Sequence, residues 1–167
     1  NYQVVVSDLY GCTHTSTVSV TTNNGPTVAS IADGLTNCNG GSDASLTANP
    51  AGGTPGYSYS WNPTSQTSQT ATGLNAGTYT LTVTDAAGCS FVTTANVLEP
   101  AILSGTVSAT NPLCNGAASG SASVNVSGGT SGYTYQWSNG QSTSAATGLS
   151  AGAYSVTIND AKGCVTQ

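Results

Sequence analysis

Charged side chains are almost absent from this chain of 167 residues, which has six acidic residues and a single basic one, Lys162. The net charge of −5 removes the electrostatic attraction that dominates binding to nucleic acids and to anionic membranes. No apolar run approaches the roughly 20 residues that a membrane-spanning helix needs. We therefore predict no nucleic-acid partner and no membrane insertion.

Residues suited to catalysis or metal binding are also scarce. His14 is the single histidine, and the five cysteines include no Cys-x-x-Cys pair. The sequence offers no closely spaced pair of carboxylates for acid–base chemistry. We predict no catalytic residue, no cofactor and no metal site. The alternative is calcium held by Asp33 or Asp43 together with backbone oxygens.

The chain instead consists of repeats. The period is 75 to 77 residues, which is the length of a small domain and not of a solenoid turn. The recurring segments are Tyr57–Trp61 with Tyr133–Trp137, Gly73–Tyr79 with Gly148–Tyr154, and Asp8–Cys12 with Asp85–Cys89 and Asp160–Cys164. We predict that residues 1–24 are the C-terminal strands of a preceding repeat, that 25–100 form a complete repeat, and that 101–167 form a repeat truncated in its last strand.

Alternating apolar and polar residues indicate β-strands. In the segment 79–85, Tyr79, Leu81 and Val83 share one face and threonines the other, which is the period of a half-buried strand. Turn signals such as Asp-Ala-Ala-Gly follow. The strands predicted for the complete repeat are 27–33, 43–48, 56–62, 67–72, 78–85 and 89–97. Such spacing without a helical pattern predicts an all-β chain of tandem immunoglobulin-like β-sandwiches.

Aromatic residues at alternate positions mark the predicted core. Trp61 lies where such a sandwich places its central tryptophan, and the segment 74–79 has the form of a tyrosine corner. The residues predicted to be in the core are Tyr57, Tyr59, Trp61, Tyr79, Tyr133, Tyr135, Trp137 and Tyr154. An open aromatic strip that stacks on sugars is the alternative.

The ordered motifs resemble the SprB repeat of Bacteroidetes cell-surface proteins. They are Gly-Gly-Thr-x-Gly-Tyr-x-Tyr-x-Trp, then Gly-Leu-x-Ala-Gly-x-Tyr, then Val/Ile-x-Asp-Ala-x-Gly-Cys. The resemblance covers residues 37–94 and 113–167 as two copies, with the end of a third copy at 1–15. The resemblance implies a large surface adhesin that is exported by the type IX secretion system and serves gliding motility.

Each repeat carries one cysteine in its first loop and one after its last turn, and these positions lie at opposite ends of an immunoglobulin-like sandwich. Strands of six to eight residues separate those ends by roughly 20–25 Å, whereas a disulfide needs Cα atoms within about 7 Å. In a head-to-tail array, Cys38 would therefore meet Cys164, and Cys12, Cys89 and Cys114 would pair outside this window. The pairing within repeats, Cys38–Cys89 and Cys114–Cys164, stays open as the alternative.

The function predicted from these patterns is structural. We expect stalk or filament modules of a secreted bacterial surface adhesin, extracellular in an oxidising setting, with neighbouring repeats as partners. The alternative is a carbohydrate-binding module of an extracellular polysaccharide-handling protein. Lateral self-association and surface glycans are further candidate partners, and Asn125 in Asn-Val-Ser is a candidate glycosylation site.

Overall fold

The computed structural model describes residues 1–22, 24–32, 34–114 and 116–167. The described residues form β-strands, turns and loops without a helix, so no helix among them could cross a membrane. The strands are β1 (Tyr2–Ser7), β2 (Thr13–Val18), β3 (Pro26–Ala32), β4 (Gly34–Leu35), β5 (Ala44–Gly52), β6 (Ser58–Asn62), β7 (Thr70–Leu74), β8 (Gly77–Thr84), β9 (Ser90–Leu98), β10 (Ser104–Thr110), β11 (Gly120–Ser127), β12 (Thr134–Trp137), β13 (Ala145–Leu149), β14 (Val156–Asn159) and β15 (Val165–Thr166).

Strands β1 and β2 form an antiparallel hairpin that pairs Tyr2 with Val18 and Ser7 with Thr13. The apolar residues Val4 and Val6 are exposed in this two-stranded sheet. Their counterparts in the next repeat, Leu81 and Val83, are fully buried. The hairpin therefore exposes the apolar face whose counterpart in β8 is buried.

Strands β3 to β9 form a complete sandwich of two sheets. One sheet has the order β3-β5-β7 and the other β4-β9-β8-β6. All pairs are antiparallel except β4 with β9, which run parallel. This arrangement, with the first strand divided between the two sheets, is an immunoglobulin-like fold. Its core is formed by Ala44, Leu46, Ala48, Trp61, Ala71, Leu74, Tyr79, Leu81, Val83, Ala95 and Val97.

Strands β10 to β15 form a second, similar sandwich. Its sheets are β10-β11-β13 and β12-β14-β15. Trp137 takes the place of Trp61, and the core is formed by Leu103, Ala122, Val124, Trp137, Ala146, Leu149, Val156 and Ile158. The last strand, β15, has two residues and pairs with Ile158 and Asn159. The residues that line an open cleft in this sandwich include Val107, Leu113 and Tyr154.

The tyrosine corner is present in both sandwiches. The Tyr79 hydroxyl donates a hydrogen bond to the Asn75 carbonyl over 3.0 Å, and the Tyr154 hydroxyl donates one to the Ser150 carbonyl over 3.2 Å. Such a bond to the backbone upstream is typical of the strand before the last in immunoglobulin-like domains.

The prediction that Tyr154 is a core residue is wrong, since this residue is 36% exposed. In the first sandwich, β9 runs beside Tyr79 and places Ala95 opposite it. In the second, β15 ends at Thr166 opposite Ile158, so no described strand covers Tyr154. Strand β14 accordingly begins at Val156, two residues later than the alternating pattern indicates.

The stability of the first sandwich depends on its buried leucines. Leu81 is fully buried whereas Leu35 is mostly exposed. We expect Leu81→Ala to lower the free energy of unfolding by about 2–5 kcal/mol because it leaves a cavity. Leu35→Ala, the matched control, should change it by less than about 1 kcal/mol. Trp61 fluorescence during urea unfolding, in a Trp137→Phe background, measures both, and equal effects would contradict the assigned core.

Candidate functional site

The site with the densest set of specific contacts is the junction between the two sandwiches. Strand β4 runs parallel to β9, so the loop 36–43 leaves the sandwich at the same end as the linker 99–103. The backbone N–H of Thr36 donates to the Leu98 carbonyl over 3.0 Å. The Thr36 side chain is buried, and its hydroxyl donates to the Cys38 carbonyl over 2.9 Å. The loop is thereby fixed where it starts.

Two further hydrogen bonds hold the loop against the linker. The backbone N–H of Gly40 donates to the Glu99 carboxylate over 2.7 Å. The Asn39 side-chain amide donates to the Pro100 carbonyl over 3.0 Å. Cys38 directly precedes these two residues, so the contacts with the linker determine where its side chain lies.

The Asp43 carboxylate closes the base of the same loop. It accepts the backbone N–H of Asn37 over 3.0 Å and also bonds the Asn37 side-chain amide. Both carboxylate oxygens of Asp43 therefore have protein donors, which weakens the calcium alternative. Asp33, the other calcium candidate, lies outside the described residues. Across the described parts of the chain, no group of three or more His, Cys, Asp or Glu side chains could hold a metal.

The second sandwich contributes the turn 160–164, which is organised by Asp160. One oxygen of this buried carboxylate accepts the backbone N–H groups of Lys162 and Cys164, over 2.8 and 2.9 Å. The other oxygen accepts the N–H of Thr130 over 2.8 Å. Asp160 thus joins the turn to the neighbouring loop 128–132 and fixes the backbone of Cys164.

The same turn carries carboxylate hydrogen bonds in its two earlier copies. Asp85 accepts the N–H groups of Thr54, Ala87 and Cys89, and Asp8 accepts those of Tyr10 and Cys12. The N–H of Thr54 lowers the pKa of Asp85 below its ordinary value of 3.8, against an opposing effect of burial, and the N–H of Cys89 lowers it further. Thr130 lowers the pKa of Asp160 in the same way.

The Gly-Gly-Thr motif makes room for this clamp. Gly53 has a φ of +66°, and a Cβ atom on it would lie 2.7 Å from an Asp85 carboxylate oxygen and 2.9 Å from the Pro26 nitrogen. Gly129 meets Asp160 at the same distance of 2.7 Å. Glycine is therefore required for both the backbone conformation and the close approach.

The linker also bonds the second sandwich. The N–H of Gly129 donates to the Ala101 carbonyl over 2.8 Å, and Leu103 is buried in the second core. The residues between Glu99 and Leu103 are therefore held by contacts with both sandwiches. Few backbone torsions in such a short linker are free to change.

A disulfide bond crosses the junction from Cys38 to Cys164. Their Cα atoms are 5.6 Å apart, and the residues are separated by 126 positions in the sequence. The alternative pairs, Cys38–Cys89 and Cys114–Cys164, are not formed in the structure. Cys12 and Cys114 are exposed thiols, and Cys89 is half-buried.

The aromatic residues of the repeated motif are turned toward the cores. Trp61 and Trp137 are buried, and their ring N–H groups donate to the carbonyls of Ser68 and Thr143 over 2.9 and 2.8 Å. The Tyr133 hydroxyl donates to the Gly128 carbonyl over 2.7 Å, as Tyr57 does to Gly52 over 2.5 Å. The half-buried residues that pack against the two cores are Tyr57, Tyr59, Tyr133 and Tyr135.

Asn125, the candidate glycosylation site, is exposed in the middle of β11. Its neighbour Val124 is buried in the second core. The side chain of Asn125 therefore projects from the outer face of the sheet, where an attached sugar would meet no core residue. Its modification stays a prediction.

Three residues that shape the junction were not predicted from the sequence: Thr36, Asn39 and Glu99. Glu99 is one of only six acids in the chain and lies directly before Pro100. The available signal was an isolated acid beside a linker proline in a sequence with few charges. Its acceptor role could not be inferred, because Gly40 lies 59 positions away.

Both sandwiches contain a segment that is similar to a known repeat family. The family model of the SprB repeat matches residues 36–66 and 106–142. These segments include the first loop with its cysteine and the aromatic motif of the sandwiches described above. No curated protein sequence matches the chain.

Several solved structures are similar to the chain. The three N-terminal domains of the bacteriophage RB49 highly immunogenic outer capsid protein (Hoc) match with a TM-score of 0.46 and 21% identity, over 80% of this chain and 54% of that one. The N-terminal four immunoglobulin domains of Dscam1 isoform 6.44 match with a TM-score of 0.37 and 15% identity, over 93% and 49%. This chain thus spans about half the length of these structures. The fold assignment rests on the strand order and pairing within the chain itself.

The carboxylate clamps make stability sensitive to acid. Folding lowers the pKa values of Asp85 and Asp160, so their contribution is complete above the unfolded value of 3.8 and is lost as the pH falls through the folded value. We therefore expect the urea concentration at the midpoint of unfolding to decrease as the pH is lowered below 3.8. In Asp85→Asn, an amide NH2 group, which cannot accept a hydrogen bond, replaces one of the two accepting carboxylate oxygens. We expect this variant to have a lower urea midpoint than the parent chain at neutral pH, and the midpoint of its first sandwich to change less as the pH falls. If the midpoint of the variant fell with acid as steeply as that of the parent, the role of Asp85 as a clamp would be contradicted.

The close approach at Gly53 gives a separate prediction. Gly53→Ala introduces both a positive φ and a clash, whereas Gly88→Ala introduces the positive φ alone, since nothing lies within 4 Å of its Cβ position. We expect Gly88→Ala to cost about 1–2 kcal/mol and Gly53→Ala clearly more, through displacement of Asp85. Urea unfolding measures both, and equal costs would rule out the close approach as the reason for glycine.

Proposed function

We propose that the sandwiches, in which two segments match the SprB repeat, are structural modules of the stalk of a secreted bacterial surface adhesin. The observation that carries this proposal is the junction, where one disulfide and several hydrogen bonds join consecutive modules. A stalk keeps its extended shape only if neighbouring modules keep a fixed orientation relative to each other. The Cys38–Cys164 bond and the Gly40–Glu99 contact supply that constraint.

The other cysteines support an array with the same junction on both sides. Cys114 occupies the position of Cys38 in the second repeat, and Cys12 and Cys89 occupy that of Cys164. In this proposal Cys114 pairs with the turn of a following repeat, and Cys89 with the first loop of a preceding one. Residues 1–24 then belong to the preceding repeat, 25–100 form a complete module, and 101–167 form most of the next.

The setting of the stalk is the cell surface. Disulfides persist in oxidising, extracellular compartments, and the SprB resemblance extends the proposal to type IX secretion and to gliding or attachment. The outer faces of the strands display serine, threonine and asparagine without charge. Such faces impose no charge repulsion on chains lying side by side, so lateral association is part of the proposal.

Carbohydrate binding by the aromatic motif has weaker support. Trp61 is fully buried, and the Tyr57 hydroxyl bonds a backbone carbonyl of its own sandwich. Stacking on sugars requires an exposed face of aromatic rings. In the first sandwich, these residues do not form such a face. Binding in a glycan array that is abolished by Tyr59→Ala, in a folded protein, would restore this alternative.

Two measurements test the stalk proposal. Chymotryptic mapping without reduction should recover a peptide pair that links Cys38 to Cys164, and small-angle scattering should give an elongated particle with a fixed angle between modules. The Cys38→Ser/Cys164→Ser variant should broaden the distribution of interatomic distances, because the junction then bends. Cys89→Ser is the matched control and should scatter like the parent chain. A Cys38–Cys89 peptide, or identical scattering from all three proteins, would overturn the proposal.

A further inference from the structure

We propose that the Cys38–Cys164 disulfide carries tension across both sandwiches, so that residues 39–163 lie outside the path of the force. The inference deepens the proposed stalk function and rests on it. Its basis is the position of the two cysteines along the chain. Cys38 follows β4 by three residues, and Cys164 directly precedes β15.

Tension applied at the two ends of this chain enters the first sandwich through β3 and β4. It leaves the second sandwich through β15, the last strand. Without the disulfide, the force would have to pass through every strand between them and through the linker. With the disulfide, it passes from the loop after β4 directly to the residue before β15.

The strands β5 to β14 then form a covalently closed loop. The loop contains the buried Trp61 and Trp137 and most of both cores. Extension of a chain cannot pull on residues within a closed loop, because the shorter covalent path becomes taut first. Rupture of β5 from β7, or of β12 from β14, therefore does not lengthen the chain while the bond is intact.

The closed loop contains a large length of chain that does not extend while the disulfide is intact. A loop of 126 peptide steps at about 3.3–3.6 Å each holds roughly 400–450 Å of extended chain. In the oxidised state, only the segments outside the loop can lengthen. The proposed stalk thus gains none of the length inside the loop when a module loses its fold.

The contacts at the junction explain how the disulfide and the linker can both connect the two sandwiches. Asn39 and Gly40 bond the linker directly beside Cys38, while Asp160 fixes the turn that carries Cys164. The disulfide and the linker therefore span the same short gap, side by side. At low load the hydrogen bonds keep the modules aligned, and at high load the covalent bond limits extension.

Single-molecule force spectroscopy tests the inference, with handles attached at residues 1 and 167 of the full chain. Oxidised protein should release only the contour length of the segments outside the loop. Addition of dithiothreitol to the same protein should add roughly 400–450 Å, minus the folded separation of the two cysteines. Cys38→Ser/Cys164→Ser should show the added length without reductant. The control Cys89→Ser/Cys114→Ser removes two free thiols and should behave like the oxidised parent.

The outcomes distinguish this inference from the stalk proposal. Equal contour lengths before and after reduction would overturn the inference and leave a stalk whose modules are joined only by the linker and its hydrogen bonds from Asn39 and Gly40. A difference of the expected size, with no measurable resistance to unfolding in the reduced modules, would support the closed loop and argue against a load-bearing stalk. If the serine variants do not fold, the titration of the parent chain with dithiothreitol still decides the question.

Discussion

Hydrogen bonds from backbone N–H groups to carboxylates hold the turns, the loops and the junction of this structure in place. In the described part of the chain, every acidic side chain accepts at least one such donor: Asp8, Asp43, Asp85, Glu99 and Asp160. None of these residues lies in a strand. The few charges are thus concentrated at the ends of the sandwiches, where turns and loops need strong acceptors. The strands themselves can remain uncharged, and alternate between apolar residues inside and hydroxyls outside.

The same groups therefore serve both stability and the junction. Asp160 accepts the N–H of Thr130, which holds two loops of the second sandwich together, and the N–H of Cys164, which positions the cysteine. A module that loses this clamp loses the geometry of its covalent link as well. Likewise, Glu99 belongs to the linker but bonds the loop that carries Cys38. Folding of each module and the docking of neighbouring modules are physically coupled through these few acceptors.

Much of this arrangement could be predicted from the sequence because it depends on local patterns. Alternation predicted the strands, and the positions of Cys38 and Cys164 at adjoining ends follow from strand direction. The two-residue strand β4 could not be predicted, since its pairing with β9 depends on residues about 60 positions away. Strand β5 extends to Gly52, beyond the predicted 48, because pairing with the edge strand β3 outweighs the usual effect of Pro50. Tyr154 was misjudged because its burial depends on a covering strand and not on its own periodicity.

The placement of the disulfide between modules has a thermodynamic consequence beyond mechanics. A bond within one repeat would constrain the unfolded chain of that repeat alone. The Cys38–Cys164 bond closes a loop that contains most of two repeats, and in the chain-entropy model such a loop is worth about 5 kcal/mol. That stabilisation is shared, because the unfolded state of either module is restricted by the folded state of the other. For domains of this size, whose cores are thin, a covalent link between neighbours adds stability without any enlargement of the individual module. The repeat length can then stay short while the array as a whole resists unfolding.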